Sequence, residues 1–174
     1  MFLRLYLALV ILLFYIFGLN AQVCGWKNSS QGRESNPRSF FVYTPEPARQ
    51  FFKEQDYLSA QVSLLEDKSG LYLRLVLIIN DIEIASELGN LEKNSDLRLE
   101  NFQNEKIYLS AAKTSAAVIG ENQTRYDCLF RLSKKNYKKL KNYELNSIRI
   151  NWAKAYQDYE IYEVDCLRSL LNCL

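Results

Sequence analysis

The chain has 174 residues, 22 of them Lys or Arg and 20 Asp or Glu, with 12 tyrosines, four cysteines and no histidine. One domain of this size has enough chain for a proper core, and its near-balanced charge argues against a dedicated nucleic-acid binder. The missing histidine removes the usual general base at neutral pH, the commonest metal ligand, and every Ser–His or Cys–His catalytic arrangement.

Residues 1–21 read MFLRLYLALVILLFYIFGLNA. Arg4 is followed by an apolar run from Leu5 to Leu19 and then by small residues ending in Ala21, the layout of a secretory signal peptide. As a helix the run reaches about 22 Å, short of the ~30 Å hydrocarbon core. Cleavage after Ala21 is therefore expected, giving a protein exported to a periplasmic or extracellular space with no stable membrane span. Val23 before Cys24 departs from the small residue that a lipidated cysteine requires. Residues 22–39 form a polar N-terminal arm without periodicity, and 40–174 the single β-rich domain.

Strand patterns dominate this domain. FFVYT (40–44) predicts a short strand. LSAQVSLLE (58–66) and LYLRLVLII (71–79) alternate around the turn DKSG and predict a hairpin whose second strand enters the interior. DLRLEN (96–101) and KIYLSA (106–111) predict a second hairpin, whereas KTSAAVIGENQ (113–123), small and polar, predicts a loop. RYDCLFRL (125–132) turns Tyr126, Cys128, Phe130 and Leu132 inward, and SIRINW (147–152) and DYEIYEV (158–164) add two further strands. Two short helices interrupt the pattern. One, at 133–142, starts at Ser133 and docks through Tyr137 and Leu140; the other, at 165–173, is capped by Asp165 and gathers Cys166, Leu167, Leu170, Leu171, Cys173 and Leu174 on one arc. Without βαβ alternation, the expected fold is mainly β: an antiparallel β-sandwich or a strongly curved sheet of about seven strands.

In an oxidising compartment, Cys24, Cys128, Cys166 and Cys173 are disulfide candidates. Along a helix the Cα atoms of Cys166 and Cys173 lie about 10.5 Å apart, beyond the ~7 Å that a bridge tolerates. Two full pairings remain, 24–166 with 128–173 and 24–173 with 128–166. The second is preferred because Cys166 opens its helix directly after a strand.

No Gly-rich phosphate loop, metal-ligand spacing or nucleophile elbow occurs, so no catalytic, cofactor or metal residue is assigned. Asp81 with Glu83, or Glu160 with Glu163, has no spacing that marks a glycosidase pair. Binding candidates are Lys134, Lys135, Lys138, Lys139 and Lys141, crowded on one helix and suited to an acidic partner, and Trp152 and Tyr156, suited to stacking on a sugar or a protein surface. NSS (28–30) and NQT (122–124) match the N-glycosylation pattern and bear on a eukaryotic source only.

The leader ending LNAQ, the segments YDCLFRLSKKNYKKLKN and NSIRINWAKAYQDYEIYEVD, and the terminal NCL together resemble small exported proteins of Bacteroidetes-type bacteria. The resemblance covers about 50 residues plus the leader. It implies a bacterial envelope and no activity. The expected function is a non-catalytic binding or scaffolding domain whose partner is an envelope protein or glycan. The alternative is a secreted inhibitor that blocks a hydrolase with a rigid loop held by disulfides.

Overall fold

The computed structural model describes residues 25–45, 56–93 and 95–174. The leader (1–21) and Cys24 lie outside these residues. The strands are β1 Trp26–Ser29, β2 Gly32–Ser35, β3 Arg38–Tyr43, β4 Leu58–Asp67, β5 Gly70–Ile79, β6 Asp96–Asn101, β7 Lys106–Ile119, β8 Gln123–Arg131, β9 Leu145–Asn151 and β10 Tyr156–Glu160. Three helices are interspersed: α1 Ile82–Leu88, α2 Lys134–Asn142 and α3 Cys166–Leu171.

All ten strands belong to one antiparallel sheet in the order β1-β2-β4-β5-β8-β7-β6-β9-β10, with β3 paired to β4 beside β2. The path is open, yet its two ends meet. Phe41 on β3 stacks on Tyr159 of β10 with ring centroids 4.9 Å apart, so the sheet must curl through its whole width. Curling places the alternating apolar sets of β4, β5 and β8 face to face with those of β6, β7 and β9. Leu58, Val62, Leu75, Leu77, Cys128, Leu99 and Ile148 are wholly buried there. The expected mainly β, antiparallel architecture is thus present, with ten strands instead of about seven and three helices instead of two among the described residues.

Each difference has a local cause. The polar arm folds into the β1–β2 hairpin. Gly32 makes this possible: its φ is +136°, and a Cβ there would sit 2.3 Å from the Glu66 carbonyl oxygen, so only glycine lets the hairpin lie against β4. The hairpin is held by polar side chains, not by alternating apolar ones. Ser35 Oγ accepts from Leu64 N at 2.8 Å, and Arg33 pairs with Glu66. In β3 a bulge between Ser39 and Phe41 turns both Phe40 and Phe41 inward, which simple alternation forbids. The expected loop at 113–123 is the distal half of β7, its turn and the start of β8; its small residues pair with β8 through a second bulge between Ala111 and Lys113. The unforeseen helix α1 is capped by Asp81, whose Oδ1 accepts from Glu83 N (2.9 Å) and Ile84 N (3.2 Å). The last strand lies at 156–160, two residues earlier than its expected start.

The helices close the interior. Register places α1, after the end of β5, beside the start of β8, and α2 follows the end of β8 at the opposite side. Ser133 caps α2 as expected, its Oγ accepting from Asn136 N, and Leu140 is buried. α3 docks through Cys166, Leu167, Leu170 and Leu171. Its expected arc needs correction at three points: Ser169 is buried, Leu174 is exposed, and Asp165 makes no side-chain capping bond.

If α3 docks as described, its apolar face carries stability and its charged face little. Leu170→Ala, at a buried site, is expected to cost about 2–5 kcal/mol. Arg168→Ala removes a largely exposed pair with Glu144 and should cost less than about 1 kcal/mol. Chemical denaturation of the two variants checks this; equal, small losses would show that α3 is not seated.

Candidate functional site

Among the described residues, the two end strands of the curled sheet pair on one side only, β3 with β4 and β10 with β9. Between them lies a cleft of about 450 Å³ lined by Val42, Tyr43 and Thr44 from β3 and its exit, Asp56 before β4, and Asp158, Tyr159, Glu160 and Tyr162 from β10 and beyond. Alternation explains the lining. Tyr159 points inward and is buried, whereas Asp158 and Glu160 flank it on the outer face.

The floor is aromatic. Tyr43 packs edge-on against Tyr159 at 5.2 Å and against Tyr57 at 6.1 Å. Burial, aided by Asp81, pushes the Tyr57 phenol up to about 12, and burial likewise raises Tyr159 well above its ordinary value. Both therefore keep their protons through the physiological range and act as neutral hydrogen-bonding groups. Tyr159 donates to Gln157 Oε1. Tyr162 at the rim is 69% exposed, enough to offer a ring face to a ligand.

The walls are acidic. Asp158 is committed to arginine: Arg149 grips it through Nε (2.6 Å) and Nη2, and Arg98 Nη2 reaches it at 3.3 Å. Its hydrogen bond and charge contact with Arg149, then the Arg98 charge, hold this carboxyl below the usual range. Tyr156, 63% exposed, lies over the Arg149 guanidinium at 4.3 Å. Among the described residues, the side chains of Asp56 and Glu160 have no cation bound to them, leaving two carboxylates available at the cleft. Arginine thus holds the Asp158 carboxyl in its charged form, the opposite of what a glycosidase general acid requires.

The anticipated binding residues separate. Lys134, Lys135 and Lys138 project from α2 into solvent. Lys139 and Lys141 are half-buried beside aromatic rings, Lys139 over Tyr143 and Lys141 donating to the Tyr137 hydroxyl at 3.2 Å. None of the five lines the cleft. Trp152 is buried, edge-on to Tyr126 at 5.1 Å, and serves the core, so it is not placed to stack on a ligand. Tyr156 is exposed and joins the cleft through the Arg149–Asp158 clasp. Sequence reasoning missed Tyr43 and Asp56, because nothing in their spacing shows that strands more than 100 residues apart become neighbours.

Cys128 and Cys166 are free thiols, which overturns the 128–166 bridge. Cys128 faces the interior from the middle of β8, whereas Cys166 opens α3 and directs its Sγ at the Ser39 carbonyl oxygen, 3.6 Å away. Burial pushes both thiols up to about 12. No group of His, Cys, Asp and Glu among the described residues is arranged to hold a metal ion, and no described helix is long and apolar enough to cross a membrane.

Compared with known proteins, the chain matches no family model, no curated protein and no solved structure.

Because the folded Asp158 carboxyl sits below its unfolded value, the clasp stabilises the protein above the unfolded carboxylate pKa of about 3.9 and loses that contribution as pH falls through the folded value. Asp158→Asn should therefore be less stable than wild type at neutral pH, and the two midpoints should converge in acid once the pH falls below the lowered folded value. Thermal melts across pH check this, and a gap that persists in acid would remove the clasp as its cause.

Proposed function

We propose that this protein is a non-catalytic, exported binding module that holds an extended, basic segment of an envelope protein in the cleft between β3 and β10. The observation that carries the reading is the juxtaposition of two end strands, each paired on one side only among the described residues, with carboxylates at their rim. A strand-like segment entering there finds main-chain hydrogen-bonding groups on either wall, the recognition mode in which backbone bonds supply affinity and flanking pockets supply specificity. Asp56 and Glu160 suit lysine or arginine on such a segment, and Tyr162 suits the stem of a long cationic side chain. A glycan would stack on Tyr162 and Tyr156 but would leave the strand edges unused. The inhibitor alternative calls for a rigid projecting loop beside a bridge. The projecting β7–β8 hairpin instead carries Cys128, a free thiol, so it gives that reading no support.

Fluorescence anisotropy with a labelled peptide of alternating Lys and Thr tests the reading, with a peptidoglycan-derived oligosaccharide as the second probe. The peptide should bind, weaken as salt rises, and lose about tenfold or more in affinity for the double variant Asp56→Asn, Glu160→Gln, as expected when two partly desolvated charge contacts vanish. Binding of the oligosaccharide alone, or of neither probe, would refute it.

The reading includes one bridge, Cys24 to Cys173. Gly25, the residue after Cys24, lines the same small crevice as Cys173 and Leu170. A bond there would fasten the β1–β2 hairpin to α3. Non-reducing peptide mapping of protein exported from its native host should recover a 24–173 peptide beginning at Gln22, with Cys128 and Cys166 alkylated only after unfolding. Recovery of Cys24 as an alkylated free thiol would remove the bridge.

A further inference from the structure

Sheet edges are templates for other strands, and proteins ordinarily guard them with charge, proline or brevity. Three edges of this sheet follow that rule. β1 has four residues including Lys27. β10 carries Asp158 and Glu160. β3 is partly covered by α3, where the Cys166 thiol meets the Ser39 carbonyl.

The fourth is different. β7 is the longest strand, 14 residues, and β6 pairs only with its first part, Lys106–Ser110. The bulge between Ala111 and Lys113 then swings the remainder away, so that 113–119 pairs with β8 on one side and with no described strand on the other. This stretch reads Lys-Thr-Ser-Ala-Ala-Val-Ile: no proline, no acidic residue, one charge at its start. Ser115, Ala116 and Ala117 are exposed, and Val118 is 60% exposed despite being apolar and β-branched.

We infer that this edge pairs with the same edge of a second copy, joining two sheets through an antiparallel β7–β7 contact centred on Ala116. The sequence complements itself in that register. A two-fold axis through Ala116 sets Ser115 opposite Ala117, Thr114 opposite Val118 and Lys113 opposite Ile119, with no like charges facing one another. Each Lys113 then lies toward the Glu121 of the other copy, in the β7–β8 turn. On one face Ala116 and the two Val118 side chains make a small apolar stripe across the join, beside each Thr114 methyl. A seven-residue pairing buries much less than the roughly 800 Å² per partner of a standard stable interface. The dimer is therefore weak and concentration-dependent, assembling where the protein is crowded. It leaves the β3–β10 cleft open, so two copies would present two clefts.

Sedimentation velocity on the purified protein, as concentration is raised, should show a monomer–dimer equilibrium. Two paired substitutions test the register. Ser115→Lys with Ala117→Glu places opposite charges across the axis and should preserve or tighten the dimer. Ser115→Lys with Ala117→Lys places like charges there and should weaken it at least about tenfold. Ala116→Glu, opposing a carboxylate to its own copy, should weaken it from the other face. All three positions are exposed, so matching thermal midpoints will show that the fold is retained. A monomer at every concentration, or a dimer that responds alike to the two paired substitutions, would overturn the inference.

Discussion

The architecture depends on a sheet that curls until its ends touch and then stops short of joining them with backbone bonds. Had β3 and β10 paired, the structure would be a closed cylinder without an edge at that point. Instead the seam is held by rings: Phe41 on Tyr159, with Tyr43 and Tyr57 packed around them. Aromatic pairs of this kind contribute about 0.5–1.5 kcal/mol beyond the area they bury. That is enough to hold two strands side by side while leaving their outer main-chain groups uncommitted. The cleft is thus a by-product of how the sheet closes, and its position is fixed by the rings that close it.

Charge on the outer face follows the same strands. Arg74 on β5 bridges Glu34 of β2 and Asp127 of β8, at 2.8 and 2.5 Å. Arg149 of β9 and Arg98 of β6 converge on Asp158 of β10. Each arginine extends over the outer face to a carboxylate on a neighbouring strand or the strand beyond it. Such pairs add little individually when exposed, but they bridge strands that are adjacent in space and distant in sequence. They also bear on which carboxylates remain available: Asp127 and Asp158 are taken, whereas Asp56 and Glu160 have no cation bound to them among the described residues.

Much of this fold could be read from the sequence, because most strands alternate cleanly. The 58–79 hairpin, the inward set of RYDCLFRL and the Ser133-capped helix are local patterns, and they appear in the structure as periodicity implies. What escaped depends on contacts that periodicity cannot encode. The β1–β2 hairpin is held by Ser35, Arg33 and a glycine pressed against Glu66, none of which makes an apolar rhythm. The distal half of β7 is built from alanines, serine and threonine, whose weak hydrophobic contrast resembles a loop until β8 pairs with it. The site escaped for a related reason. Lysine clusters and a tryptophan are conspicuous in a sequence, whereas a cleft assembled from Thr44, Asp56 and Tyr162 exists only once the sheet has curled. Trp152 shows the converse, a residue conspicuous for recognition that the fold uses for packing.

The two buried thiols carry a consequence for how the chain matures. A thiol is oxidised as its thiolate, and Cys128 and Cys166 offer almost none once enclosed, both by burial and by their raised pKa values. Both are accessible in the unfolded chain. Wherever the chain folds under oxidising conditions, oxidation competes with folding in time: a molecule whose β5–β8 core assembles first locks Cys128 away reduced, while one that folds slowly is exposed to wrong pairings that then block the core. The enclosed thiols thus act as a record of folding history, separating chains that collapsed promptly from those that did not.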